Sequence, residues 1–251
     1  MAFSTYSRNA AINALLRNTA LSLTPYASLH TADPTVAGAS ELAVANGYIR
    51  KAVVFGAPSG GASSNSPAIS FGPATPAGWS EVGWWGVWDQ VAVGGNFIWG
   101  AAMTNARTAG IGDTIDAAVA ALTAAITGDW GTYARNALIN ALLRATSLAV
   151  ASTKISLHSG DPGLDGANEL TGNAYARQTG AWDAPNTGVT QNTSLITFPT
   201  ATPGAWGNVT HFGVWDAGSN FIAGHALTVT PKAVGIGETA KFPIGSLVVT
   251  A

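Results

Sequence analysis

Apolar side chains recur with helical spacing near the start of the chain and again near its middle. Four positions at i, i+3, i+4 and i+7 carry the pattern each time: Ile12, Leu15, Leu16 and Thr19, then Ile139, Leu142, Leu143 and Thr146. Such spacing places all four side chains on one face of a helix with 3.6 residues per turn. The sequence therefore predicts one amphipathic helix in each place.

Most of the remaining chain is predicted to form short strands between turns rich in Gly, Pro, Asn and Asp. In the segment KISLH, apolar and polar residues alternate, which puts Ile155 and Leu157 on one face of a strand. The segment NVTHFGVWD, which ends at Asp216, is apolar on both faces. A strand of that kind is typical of the centre of a sheet.

Nearly the whole pattern occurs twice. Four segments of the first half return in the second. YSRNAAINALLR returns as YARNALINALLR, SLHTADP as SLHSGDP, WWGVWD as HFGVWD and GIGDT as GIGET. Copies of this length are too long to be solenoid units, so they indicate two tandem domains of one fold. We place the domains at 1–127 and 128–251, joined in TGDWGT, where Gly and Asp interrupt the pattern.

The repeat decides the predicted secondary structure of one ambiguous segment. TIDAAVAALTAAI, residues 114–126, is rich in alanine and favours a helix by propensity. Its counterpart, TAKFPIGSLVVTA, contains Pro243 and Gly245 and ends in a β-branched run, which favours strands and turns. Both segments are therefore predicted to be strands. The fold class is mainly β: two tandem β-sandwich-like domains, each preceded by one short α-helix.

Composition narrows the possible functions. Charged residues make up 10% of the 251 residues, against about 25% in an average soluble domain. The net charge of −2 gives no attraction to nucleic acid or to an anionic membrane. There is no cysteine, which excludes thiolate sites, and no apolar run approaches the roughly 18 residues of a membrane helix. The start of the chain has no signal-peptide pattern, and we expect a soluble protein made in the cytoplasm.

A set of polar residues is repeated and forms the first candidate site: His30, Asp33 and Glu41, then His158, Asp161 and Glu169. One interpretation is a metal or acid–base constellation. The other, which we favour, is a turn scaffold. An Asp before Pro opens a turn by accepting a backbone N–H two residues on, and the His closes a strand on its polar face. We expect neither metal nor cofactor.

Tryptophan supplies the second candidate. The first copy contains Trp84, Trp85 and Trp99, which become His211, Phe212 and Ala223 in the second. Trp-rich surfaces stack on sugars or anchor interfaces, but rings on a central strand also fill cores. We take Trp84, Trp85, Trp99 and His211 as a candidate interface. Trp88 and Trp215, present in both copies, are predicted to be core.

Two segments of the second copy resemble a known protein family. They are SLHSGDPGLDGANELTGNAYARQ and, further on, VTHFGVWDAGSNFIAGHALT. The chain resembles a family of small bacteriophage virion proteins described as head-decoration or tail-fibre-like. The resemblance spans both copies and is closer in the second. It implies a structural, non-catalytic role in the virion, with other virion proteins as partners.

Three functional classes stay open, besides an enzyme, which we do not expect. The favoured hypothesis is a capsid decoration protein that stabilises the head, and a tail fibre, baseplate or head-appendage subunit is its alternative. A glycan-binding module using the Trp residues of the first copy is the third. The low charge also favours burial against partners in a homo-oligomer such as a trimer, because homo-oligomers are usually closed and cyclic.

Overall fold

The computed structural model describes residues 2–228 and 232–251. The described chain is mainly β with one helix at the start of each repeat, as predicted, and its sheets are not closed barrels. The helices are α1 (Thr5–Leu16) and α2 (Thr132–Leu143). Both predicted apolar faces are buried through Leu16 and Leu143.

The helical prediction was wrong at its last position in each repeat, because the helices end earlier. Asn18 and Ala145 have left-handed backbones, with φ of 54° and 51°. The N–H of Thr19 then reaches back to the carbonyl of Asn13 at 3.1 Å, and an equivalent bond of 3.1 Å closes the second helix. This left-handed ending turns Thr19 and Thr146 out of the helix into solvent.

The first repeat contains nine strands within the described residues. They are β1 (Ala2–Phe3), β2 (Tyr26–His30), β3 (Lys51–Ala52), β4 (Ala62–Ser64), β5 (Ile69–Phe71), β6 (Trp79–Trp88), β7 (Phe97–Ala109), β8 (Ile115–Ala117) and β9 (Thr123–Ala125). The main sheet is antiparallel with the order β1-β7-β6-β2-β3, and two-stranded ladders join β4 to β9 and β5 to β8.

The second repeat follows the same plan in its described residues. Its strands are β10 (Thr153–His158), β11 (Gln178–Gly180), β12 (Val189–Gln191), β13 (Ile196–Thr200), β14 (Gly207–Val209), β15 (His211–Asp216), β16 (Phe221–Ala226), β17 (Lys232–Val234), β18 (Thr239–Phe242) and β19 (Val248–Thr250). The main sheet has the order β11-β10-β15-β16. Ladders β12-β19, β13-β18 and β14-β17 complete it.

Several strand predictions are confirmed. The alanine-rich segment 114–126 forms β8 and β9 and not a helix, and its counterpart forms β18 and β19. The prediction of one central strand over NVTHFGVWD is confirmed only for its second part: His211–Asp216 form β15, which lies between two neighbours. The first part belongs to the separate strand β14, because the chain leaves the ladder at Thr210, whose N–H donates to the carbonyl of His158 at 2.9 Å. Trp88 and Trp215 are buried core residues.

Packing divides the chain into two units whose membership crosses the sequence repeats. The first unit contains the residues through Arg8, Leu21–Ile126 and Leu138–Ser147. The second contains Asn9–Ala20, Thr127–Ala137 and the chain from Leu148 onward. One division falls inside each helix, so each unit contains helical residues from both repeats.

Candidate functional site

The Asp-Pro segments form the turns that the sequence predicts. Oδ1 of Asp33 accepts the backbone N–H of Thr35 at 2.8 Å, and Oδ1 of Asp161 accepts that of Gly163 at 2.8 Å. Both carboxylates are exposed and lie at the start of their turns. An aspartate that binds an amide two residues ahead mimics a backbone turn.

His30 ends β2 and is fully buried. Its Nδ1 lies 2.7 Å from the carbonyl oxygen of Ala39, which can only accept, so Nδ1 carries the proton. Its Nε2 lies 2.8 Å from the hydroxyl of Ser28, which in turn accepts the indole N–H of Trp88 at 3.1 Å. Burial lowers the pKa of His30 below its usual range, which favours this neutral form.

The second repeat reproduces this chain of bonds around His158. Nδ1 lies 2.6 Å from the carbonyl of Ala167, and Nε2 lies 2.7 Å from the hydroxyl of Ser156. Ser156 accepts the indole N–H of Trp215 at 2.8 Å. Burial also lowers the pKa of His158. Both histidines end their strands, and both are fully buried.

Glu41 lies opposite His30 in a β-bridge, but its carboxylate does not contact the imidazole. Oε1 and Oε2 accept two bonds from the guanidinium of Arg50, at 2.8 and 2.7 Å. Oε1 also accepts the hydroxyl of Tyr48 at 3.0 Å, and that hydroxyl accepts the N–H of Leu29 at 3.0 Å. Burial first, then the charge of Glu41, raises the pKa of Tyr48 far above its usual range.

Glu169 occupies the same position in the second repeat. It accepts two bonds of 2.7 Å from Arg177 and the hydroxyl of Tyr175 at 3.2 Å. The tyrosine hydroxyl accepts the N–H of Leu157 at 2.8 Å. Burial raises the pKa of Tyr175 above its usual range.

Each guanidinium also covers the indole that binds the serine. Arg50 lies 3.9 Å from the centre of the Trp88 ring, and Arg177 lies 3.7 Å from that of Trp215. This cation–π contact links the carboxylate cluster to the histidine cluster. The glycine of each GVWD segment is required for close approach: a Cβ on Gly86 would lie 2.2 Å from Nε2 of His30.

The two networks differ at one loop. Arg50 donates to the carbonyls of Gln90, Ala92 and Gly94 at 2.8–3.0 Å, so the loop after Asp89 is held by this side chain. The corresponding loop of the second repeat is shorter, and no such bonds reach Arg177. The exposed fraction of the side chain is accordingly 2% for Arg50 and 26% for Arg177.

The geometry favours the turn scaffold for His30, Asp33, Glu41 and their counterparts. The imidazole nitrogens bind a carbonyl and a hydroxyl, the glutamates bind arginine, and the aspartates bind turn amides. Within residues 2–228 and 232–251, His, Asp and Glu side chains form no group of three that could hold a metal ion. We propose that these six residues fix the loop that follows β2 in the first repeat and β10 in the second.

The candidate interface residues differ in how much of each side chain is exposed. Trp85 is 5% exposed and Trp99 is fully buried, so both rings lie inside the first unit. Trp84 and His211 are half-buried and retain accessible surface. An interface proposal therefore rests on Trp84 and His211.

Sequence reasoning missed the serines, tyrosines and arginines that complete the networks. They are Ser28, Tyr48 and Arg50, with Ser156, Tyr175 and Arg177. The signal was present, because all six are identical between the repeats and belong to the SLH and Tyr-x-Arg segments. The sequence does not show which of these repeated residues lie opposite one another across the loop.

The comparisons with known proteins bear on both repeats. A family model described as Podophage GP4 fiber I protein gp80 matches residues 2–125 and, a second time, residues 129–250. The match confirms the resemblance to phage virion structural proteins and its presence as two tandem copies. No curated protein matches the chain. In the described part of the chain, neither helix is long and apolar enough to cross a membrane.

Proposed function

We propose that the chain is a subunit of a fibre-type virion appendage, because it belongs to the family of Podophage GP4 fiber I protein gp80. The observation that carries the proposal is the extent of the match, which includes nearly all of both repeats. This proposal and the decoration hypothesis both give the chain a structural role in the virion. The family description names a fibre, and this favours the appendage over capsid decoration.

A non-catalytic role fits the polar residues of both units. The histidines, glutamates and tyrosines of the two networks, which could perform acid–base chemistry, are bound to neighbouring side chains and backbone groups. General acid–base catalysis needs a side chain within hydrogen-bond reach of the substrate proton that it transfers. We propose that the networks provide rigidity and that the protein is not an enzyme.

The location in the particle is tested by labelling purified virions with an antibody to this chain. We expect label on an appendage and, by gel densitometry, a few copies per particle. Label spread over the head, with hundreds of copies per particle, would support the decoration hypothesis instead.

Association into a homo-oligomer, a trimer in our proposal, is supported by exposed aliphatic side chains at positions shared by both repeats. The pairs are Val36 and Leu164, Ile111 and Ile236, and Val119 and Ile244, exposed by 42–72%. Apolar surface retained at equivalent places is typical of contact sites. Light scattering should give three times the 25.3 kDa chain mass. Replacing Ile111 and Ile236 by Ser should shift the mass toward the monomer, whereas a wild-type monomer at all concentrations would contradict the proposal.

A further inference from the structure

A small pocket opens in the first unit beside the Trp-rich strand. It has a volume of about 130 Å³, and its lining includes Trp85, Met103, Asn105, Arg107 and Asp116. Met103, Asn105 and Arg107 belong to β7, and Asp116 belongs to β8. None of these residues takes part in the networks described above.

An irregularity in the main sheet shapes this pocket. Val82 of β6 pairs with Arg107, and Trp84 pairs with Ala102. Only Gly83 lies between these pairs on β6, whereas Met103–Ala106 lie between them on β7. The extra residues form a bulge, a feature that redirects side chains and is common beside binding sites.

The charged groups of the pocket are not committed to other partners. In the described part of the chain, Arg107 and Asp116 form no ion pair with each other or with a third residue. The carboxylate of Asp116 accepts only a long bond of 3.5 Å from the hydroxyl of Thr114. The pocket thus combines a guanidinium that only donates, a carboxylate that only accepts and the Asn105 amide, which does both.

We propose that this pocket binds one ring of a neutral saccharide. A vicinal pair of hydroxyl groups accepts from a guanidinium and donates to a carboxylate at once, so a single diol satisfies Arg107 and Asp116. Because these two charges cancel, the pocket does not select an ionic ligand. Trp85, Met103 and Ala118 also line the pocket, and their apolar groups can contact the C–H groups of a sugar.

The second repeat provides an internal contrast. By strand register, Phe212 stands in place of Trp85, and Lys232 and Lys241 stand in place of Arg107 and Asp116. Two like charges with no carboxylate cannot bind a diol in the same way. The proposal therefore assigns sugar binding to the first repeat, and it is independent of the place of the chain in the virion.

Saturation-transfer NMR of the full chain tests the proposal, with glucose, galactose, rhamnose and N-acetylglucosamine as probes. We expect at least one sugar to bind with a Kd on the order of 1 mM, as suits so small a contact. Asp116→Lys, which introduces the residue of the second repeat, and Arg107→Ala should each weaken binding about tenfold or more. Asn105→Ala, at an exposed position, is a further variant should either of these fail to fold.

The matched controls are Lys241→Ala and Lys232→Ala in the second repeat, which should leave sugar binding unchanged. Circular dichroism melts establish that each variant is folded. Three outcomes would overturn the proposal: no sugar of the panel binds, binding survives all the first-repeat variants, or inorganic phosphate binds through Arg107 and no sugar does.

Discussion

Thr35 and Gly163 occupy the same position in the two Asp-Pro turns, and both have left-handed backbones, with φ of 55° and 59°. Glycine takes this conformation without steric cost, whereas a β-branched residue is strained there. The sequence showed that Thr replaces Gly here but not that the backbone keeps the same conformation. The first repeat therefore contains a strained residue that the second avoids.

Replacing Thr35 by Gly should stabilise the protein by about 0.5–1 kcal/mol, since relief of the strain exceeds the added entropy of the unfolded chain. Urea unfolding of the two proteins measures the difference. Gly163→Thr is the reciprocal variant and should destabilise, although a Cβ at Gly163 meets no atom within 4 Å. A loss of stability in Thr35→Gly would show that the long bond of 3.4 Å from the Ala37 amide to its hydroxyl outweighs the strain.

Asp161→Ala should lower the free energy of unfolding by about 1 kcal/mol, because the Gly163 amide loses its acceptor. The control is Asp165→Ala, which removes an exposed carboxylate of the same loop and should change stability little. Both variants are compared with the wild type by urea unfolding. Equal effects of the two substitutions would mean that the loss of charge, and not the turn bond, is being measured.

Alternation along a strand predicted β2 and β10 correctly but not the surroundings of their polar faces. Ser28 and His30 share one face of β2, which the pattern predicts to be the polar face. In the structure a loop folds back over this face, and the carbonyl of Ala39 and the hydroxyl of Tyr48 bind the strand. A periodic pattern gives the orientation of side chains, but not which loop covers them, so the buried network could not be derived from it.

Burial of the histidines makes the stability of these elements depend on pH. The folded-state pKa of His30 and His158 is lowered, chiefly by burial, while the unfolded value stays near 6.5. Below about pH 6.5 the unfolded chain therefore binds more protons than the folded one, and stability falls as the pH falls. The stabilisation is complete above pH 6.5.

Urea unfolding at pH 8 and pH 5 should show this loss, and His30→Gln with His158→Gln should reduce its slope. Glutamine keeps a donor and an acceptor but takes up no proton. His225 also has a pKa lowered by burial, so His225→Gln is needed to remove its share. A pH dependence that is unchanged in the triple variant would assign the effect to other groups.

The repeat is evident from the sequence, but the division of the chain into two packing units is not. The proposed domains are 1–127 and 128–251, yet the second packing unit includes Asn9–Ala20. Within that unit the N–H of Val150 donates to the carbonyl of Ala14 at 2.8 Å, and the N–H of Gly188 donates to Oδ1 of Asn9 at 2.8 Å. Similarity of sequence shows common ancestry of the copies, but it does not show which helix residues each copy packs against.

Residues 128–251 expressed alone should be β-rich and melt cooperatively, but below the melting temperature of the full chain, because Asn9–Ala20 is missing. Adding a peptide of residues 1–20 should raise the melting temperature of the fragment, since a ligand of the folded state stabilises it by mass action. Calorimetry with increasing peptide measures the shift.

Peptide variants make the test specific. Asn9→Ala leaves the buried N–H of Gly188 without its acceptor, so this peptide should raise the melting temperature less than the wild-type peptide. Arg17→Ala changes an exposed side chain that donates to Asn13 within the peptide. Its charge also acts on Asp183 of the fragment, so the peptides are compared at high ionic strength, where this variant should act almost as the wild type does. A fragment that is unfolded with and without peptide would contradict the boundary at 127 and 128. A fragment as stable as the full chain would show instead that residues 9–20 contribute nothing to the second unit.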